Sequence, residues 1–216
     1  MKRVFVIAMN DEASAVTRHL RLSGESLLAG RRVLRGTGPT CGETAVVVSG
    51  VGKVNAAAAT QLALSLGADE IFNAGLAGGF GDDMVPLGVY EVARAVEYDF
   101  DLAALNHTAV GVLNERTSPY LPFVVSSAHA VARTLATGDR FSDSEADWRL
   151  IVETLGASLR DMEGAAIAHV CETASVPCRA IKCVTNVAGQ GGMIAQFAAR
   201  RAAAIEVLAE AMRAYV

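Results

Sequence analysis

Three side chains stand where strands hand over to helices, and their types could do chemistry. Glu12, in "IAMNDEASAV", follows a short apolar strand signal, where a carboxylate can take a proton from a nucleophile or simply favour the first turn of a helix. Glu163, in "RDMEGAAIAHVC", enters a run that reads as a buried helix from Gly164 to Val170. A carboxylate there must be paired, capped or used, and Glu163 is placed to accept hydrogen bonds from hydroxyl groups. Asp161 serves equally well as a plain helix cap. Asn186 closes "KCVTN", an apolar strand signal that ends on an amide.

Two glycine-rich stretches sit beside these positions. "SGVGKVNAA" puts Gly50 and Gly52 between a strand and an Ala-rich helix, so its amides could face a polar or anionic ligand; close helix–sheet packing explains the glycines as well. The spacing is not GxGxxG and no acid follows about twenty residues later, which disfavours a dinucleotide. "NAGLAGGF" reads as a second strand exit at which the backbone can approach a ligand closely. His19, His107, His129 and His169 lack ligand spacing, so no metal is expected. Without GxSxG, acyl transfer is disfavoured.

The elements that position these residues alternate. Apolar, β-branched strand signals fall at 4–8, 45–50, 70–75, 89–98 and 178–186. Helical patterns fall at 11–20, 53–66, 127–135, 144–155, 163–174 and from Met193 to Tyr215. This reads as an α/β fold with a mainly parallel, doubly covered sheet, whose ligands gather at the carboxyl ends of strands. No repeat or linker divides residues 1–216, so a single domain is expected.

Composition narrows the function classes. The chain is 52% hydrophobic and 19% charged with a formal net charge of −4, and its Lys and Arg residues are scattered, which argues against a nucleic-acid partner. Cys41, Cys171, Cys178 and Cys183 form no CxxC pair and read as buried thiols of a reducing compartment. The apolar run from Val4 to Met9 is too short for a signal peptide or a membrane span, so a cytoplasmic protein with no membrane partner is expected.

Taken in order, "IAMNDEASAV", "SGVGKVNAA", "NAGLAGG", "EYDFD", "ATGDRF", "DMEGAAIAHVC" and "IKCVTNVA" resemble the purine nucleoside phosphorylase/nucleosidase superfamily, in particular its 5′-methylthioadenosine/S-adenosylhomocysteine nucleosidase branch. The resemblance implies a mixed central sheet flanked by helices, a purine nucleoside substrate, no cofactor and a homodimer in which Phe100 closes the partner's 5′ pocket. It implies Glu12 as the base that activates water, with Met9, Met162 and Glu163 around the ribose. Phe141 would stack on the purine, the Ser142 backbone would read the base edge, and Lys182 would be the cation near the water. Gly78 belongs to the glycine-rich exit, Phe197 would cover the 5′ substituent, and Asn186 falls where the family's acid protonates purine N7.

Two residues depart from that pattern. Leu76 stands where a serine is frequent near the water, and Asn186 is an amide that cannot protonate N7. Three readings of Asn186 stay open here: a preference for 6-oxopurines, weakened adenosine-type catalysis, or a substitution that traps ligand. Arginines that would hold phosphate are missing near "NAGLAGG", so hydrolysis is expected over phosphorolysis, with a weakly catalytic purine-binding member as a further alternative.

Overall fold

The computed structural model describes residues 1–38, 42–113, 116–126 and 131–215. One ten-stranded mixed sheet runs through it, with helices on both faces. In chain order the strands are β1 (Arg3–Ile7), β2 (Gly24–Leu28), β3 (Arg31–Gly38), β4 (Gly42–Val48), β5 (Glu70–Gly79), β6 (Val89–Glu97), β7 (Leu121–Pro122), β8 (Val131–Thr137), β9 (Leu159–Asp161) and β10 (Cys178–Val187). The helices are α1 (Asn10–Leu20), α2 (Lys53–Ser65), α3 (Ala103–Asn106), α4 (Glu145–Trp148), α5 (Gly164–Thr173) and α6 (Met193–Met212), with a π-helical segment at Arg149–Thr154 and a 3₁₀ turn at Arg213–Tyr215.

Strand β1 shows why the centre holds. Its residues alternate between two cores: Val4 and Val6 join the small residues of α2 and α5 on one side, while Phe5 and Ile7 join α1 and α6 on the other. Phe5 stacks on Phe72 of β5 with ring centroids 4.9 Å apart. Each such side chain contributes about 1.5–3 kcal/mol by leaving water, so both layers are held to the same strand.

Strand β5 bends out of this layer. Its first residues pair with β1, its whole length pairs with β10, and Gly78 and Gly79 pair with β9. Through β6 and β8 the strands β5, β10, β6, β8 and β9 then close on one another. The register of β10 shifts between Val184 and Asn186, a bulge that re-aims Asn186.

Several elements differ from the sequence reading. The pattern at 127–135 predicts a helix, but the described part, Val131 onward, is strand β8; residues 127–130 lie outside the described residues. Pairing with β6 on one side and β9 on the other outweighs the helical propensity of its Ala and Leu residues. The antiparallel β2–β3 pair extends one end of the sheet, and its charged positions hide the strand signal. Half of the strand pairings are antiparallel, so the sheet is mixed rather than mainly parallel. "NAGLAGG" does not follow the strand but forms its carboxyl-terminal part, ending on Gly79, the last residue of β5. Cys171, Cys178 and Cys183 are buried free thiols, and Cys41 lies outside the described residues.

Candidate active site

Glu12 is the third residue of α1, and its carboxylate ties the helix start to the sheet. Oε2 accepts from the Met9 backbone N–H (3.1 Å), as the acid of a capping box does. Oε1 accepts from the Leu76 N–H of β5 (3.0 Å). The side chain is buried, with 1% of the residue exposed. Burial pushes its carboxyl up to about 7, against the pull of the Leu76 and Met9 amides and the Lys182 charge. A carboxylate with that balance is poised as a base near neutrality.

Two β5 glycines open the floor beside it. Gly75 is in register with Lys182 and Gly78 with Asn186, both on β10. A Cβ on Gly75 would lie 3.5 Å from Lys182 Nζ and 3.7 Å from Glu12 Oε1, so the glycine leaves a gap between cation and carboxylate. A Cβ on Gly78 would lie 3.0 Å from Asn186 Nδ2, closer than side chains tolerate comfortably. The Thr185 hydroxyl lies 3.0 Å from Asn186 Oδ1 and 3.3 Å from the Ala77 carbonyl oxygen; donation of its one proton to the nearer amide oxygen leaves Nδ2 as the amide's donor on the glycine side.

Lys182 is 1% exposed and pairs with Asp161 Oδ2 at 2.8 Å. Asp161 also accepts from the Thr137 hydroxyl (2.6 Å) and the Gly164 N–H (2.8 Å). Its cap role is therefore real, and it anchors the buried lysine as well. Glu163 is the residue before α5 rather than a residue one turn inside it. Its Oε1 accepts from the Gly52 N–H (2.9 Å), while the Lys53 N–H goes to Asp139 Oδ1 (2.8 Å). The amides of "SGVGK" thus meet the protein's own carboxylates. Burial, then the neighbouring Asp161 charge, pushes the Glu163 carboxyl above its usual range.

These side chains enclose one cavity of about 270 Å³, close to the lower end of small-molecule pockets. Glu12, Asn186, Met9, Gly78, Met162, Glu163 and Lys182 all line it. So do Phe141 and Phe197, whose rings meet edge-to-face at 5.7 Å, Phe141 being 51% exposed. Ser142 does not line it: the residue faces an adjoining groove, and its hydroxyl accepts from the Ser144 N–H (3.2 Å). Asn73, Arg160, Asp161, Thr185 and Met193 line the cavity beyond the expected set. Among the described residues, no group of three or more His, Cys, Asp and Glu side chains is gathered to hold a metal. No helix among them is long and apolar enough to cross a membrane.

The lining is chemically mixed: two carboxylates and a buried lysine share it with an amide and two aromatic rings. The charged groups suit a hydroxylated, cation-like group with a nucleophile beside it, and the amide and rings suit a flat ring with acceptors on its edge.

Known proteins share this arrangement of elements. At 28% identity over 211 residues, covering 90% of each chain, the protein is similar to the 5′-methylthioadenosine/S-adenosylhomocysteine nucleosidase of Shewanella piezotolerans. It is 27% identical over 159 residues to the aminodeoxyfutalosine nucleosidase of Helicobacter pylori, covering 68% of this chain and 69% of that one. The crystal structure of the Helicobacter pylori 5′-methylthioadenosine/S-adenosylhomocysteine nucleosidase with butyl-thio-DADMe-Immucillin-A superposes with a TM-score of 0.90 at 22% identity, over 99% of this chain and 97% of that one. A family model described as the phosphorylase superfamily matches residues 2–216, and the chain belongs to that superfamily.

Proposed function

We propose that the protein hydrolyses the N-ribosidic bond of a purine nucleoside, a reading supported by its similarity to relatives named as nucleosidases. The observation that carries this reading is Glu12: a buried carboxylate, held by two backbone amides, in one cavity with Glu163 and Asn186. Breaking the bond builds positive charge on the sugar and negative charge on the base. Glu12 takes a proton from the attacking water, and its charge favours the cation-like sugar. Glu163 holds the ribose hydroxyls, Met9 and Met162 pack around the sugar, and the rings of Phe141 and Phe197 cover the base and the 5′ substituent. Lys182 keeps Asp161 neutralised and contributes a cation near the water.

Asn186 directs the reading toward 6-oxopurines. With Oδ1 engaged by Thr185, Nδ2 donates, and a 6-oxo group accepts where the amino group of adenine would itself donate. Phosphorolysis is the less favoured reading, because Glu12 would repel phosphate and Lys182 is already paired with Asp161; of the arginines that line the cavity, Arg140 is paired with Asp147 and Arg160 lies across Gly78 from Asn186, on the base side of this reading. A homodimer fits Val54 and Leu105, which are apolar and largely exposed, with Val51 half-exposed at the cavity.

Base release from methylthioadenosine, S-adenosylhomocysteine, adenosine, inosine and futalosine, with and without phosphate, tests this. Phosphate-independent cleavage that favours the 6-oxopurine substrates is expected, and Asn186→Asp should shift the preference toward adenine release. Release that requires phosphate contradicts hydrolysis, and an unchanged preference in Asn186→Asp contradicts the role of the amide.

A further inference from the structure

Arg160 is a buried cation that the roles above leave unused. It lies on β9 in register with Gly78, which is itself in register with Asn186 on β10. Cross-strand partners present their side chains on the same face of a sheet, so Arg160 and Asn186 flank the same glycine. Both line the Glu12 cavity and both line the adjoining groove that holds Ser142, so they form the wall between the two.

The guanidinium is poorly satisfied by the protein. Arg160 is 8% exposed, and among the described residues its guanidinium donates from Nη2 to the sulfur of Met193 (2.8 Å), a weak acceptor. Its charge also sits 5.5 Å from the centre of the Phe80 ring. Among the described residues it makes no ion pair: Asp147, a nearby carboxylate, is paired with Arg140 at 3.3 Å. Burial pulls the guanidinium below its usual range, against the opposing pull of Tyr98 and of the Asp147 and Asp143 charges. None of its nitrogens is both fully buried and unpartnered, so the donors that Met193 leaves free open onto the cavity or the groove that Arg160 lines, where an acceptor on a ligand can meet them.

We propose that Arg160 is a catalytic, base-reading residue: its guanidinium takes the carbonyl oxygen of a 6-oxopurine and stabilises the charge on the departing base. This rests on the nucleosidase reading above and completes it, because Asn186 offers a hydrogen bond but no proton. The C1′–N9 bond breaks with its electron pair staying on the purine, which leaves as the anion delocalised onto its oxygen. Water oxygen bonds to C1′ and gives its proton to Glu12, and the purine anion takes a proton from solvent after release. Arg160 stays protonated throughout. An exocyclic amino group offers the guanidinium no comparable acceptor, so the same residue discriminates against adenine.

Calorimetric titration of free hypoxanthine and free adenine into the wild-type protein, Arg160→Met and Arg160→Lys tests this, alongside cleavage of inosine and adenosine by each. Wild type is expected to bind hypoxanthine at least tenfold more tightly than Arg160→Met, with adenine binding unchanged. Inosine cleavage should fall about 10²-fold in Arg160→Met while adenosine cleavage falls less. Arg160→Lys keeps the charge without the planar fork and should recover part of the loss; it also serves if the methionine variant fails to fold. Equal hypoxanthine affinity in all three proteins, or an equal loss for both bases, overturns the role of Arg160 and leaves the nucleosidase reading intact. Arg160-dependent hypoxanthine binding without cleavage of any nucleoside supports base reading and overturns the hydrolase reading instead. Failure of wild type to bind either base overturns both.

Discussion

The Leu76 backbone N–H donates to the Glu12 carboxylate at 3.0 Å, joining the first helix to the bend of β5. Leu76 therefore serves the site through its main chain, which any residue type at that position supplies. The second donor, the Met9 N–H, comes from the same turn as Glu12 itself. The carboxylate is thus fixed by backbone alone, and burial rather than a charged neighbour dominates its proton affinity.

Glu12→Gln should leave nucleoside binding within a few-fold of wild type while kcat falls about 10²–10⁴-fold, the usual worth of a general base. The wild-type pH profile follows from the raised carboxyl. The base works ionised, so kcat/KM should be level above about 7 and fall roughly tenfold per unit below it. Steady-state kinetics from pH 5 to 9 check both points, and a profile flat through 7 argues against Glu12 as the base.

Glu163→Gln should stabilise the fold at alkaline pH while weakening ribose binding. The folded-state carboxyl is raised, so between the usual carboxylate value and its own midpoint the native protein binds more protons than the unfolded chain. Stability from this group is present at low pH and is lost as pH rises through that window. The amide can keep the Gly52 hydrogen bond and removes the penalty, so a gain of about 1–3 kcal/mol is expected at pH 8 and almost none near pH 5. Urea unfolding at the two pH values measures it.

Lys182→Met should be strongly destabilising, because it leaves Asp161 buried without its counter-charge. Breaking such a pair costs about 3–5 kcal/mol, and both side chains here are 1% exposed. Adding Asp161→Asn to the same chain should restore much of the loss, which a denaturant double-mutant cycle reads directly.

Much of this site was legible because its residues follow strand ends. Glu12 and Asn186 sit where α/β sheets collect ligands, and the sheet brings them into one cavity with Glu163 and Lys182. Arg160 was not legible. An arginine before Asp161 reads as a solvated charge, and the pairing of three-residue β9 with Gly78 of β5 on one side and Ala136 of β8 on the other buries it. Strand β8 was hidden for a similar reason: its Ala and Leu residues favour a helix locally, and β6 and β9 decide otherwise. The edge pair β2–β3 carries Arg31, Arg32 and Arg35, which mask the apolar alternation. Ser142 lies on the adjoining groove, a placement for which the loop after Phe141 leaves no periodic signal to read.

A single turnover of inosine in ¹⁸O-labelled water, without phosphate, tests the central claim most directly. If Glu12 activates water against the sugar, the ribose released carries one ¹⁸O at C1′ when trapped by immediate reduction, and Glu12→Gln slows its appearance about 10²-fold or more. Unlabelled ribose, base release only when phosphate is added, or a labelled product formed as fast by Glu12→Gln contradicts it.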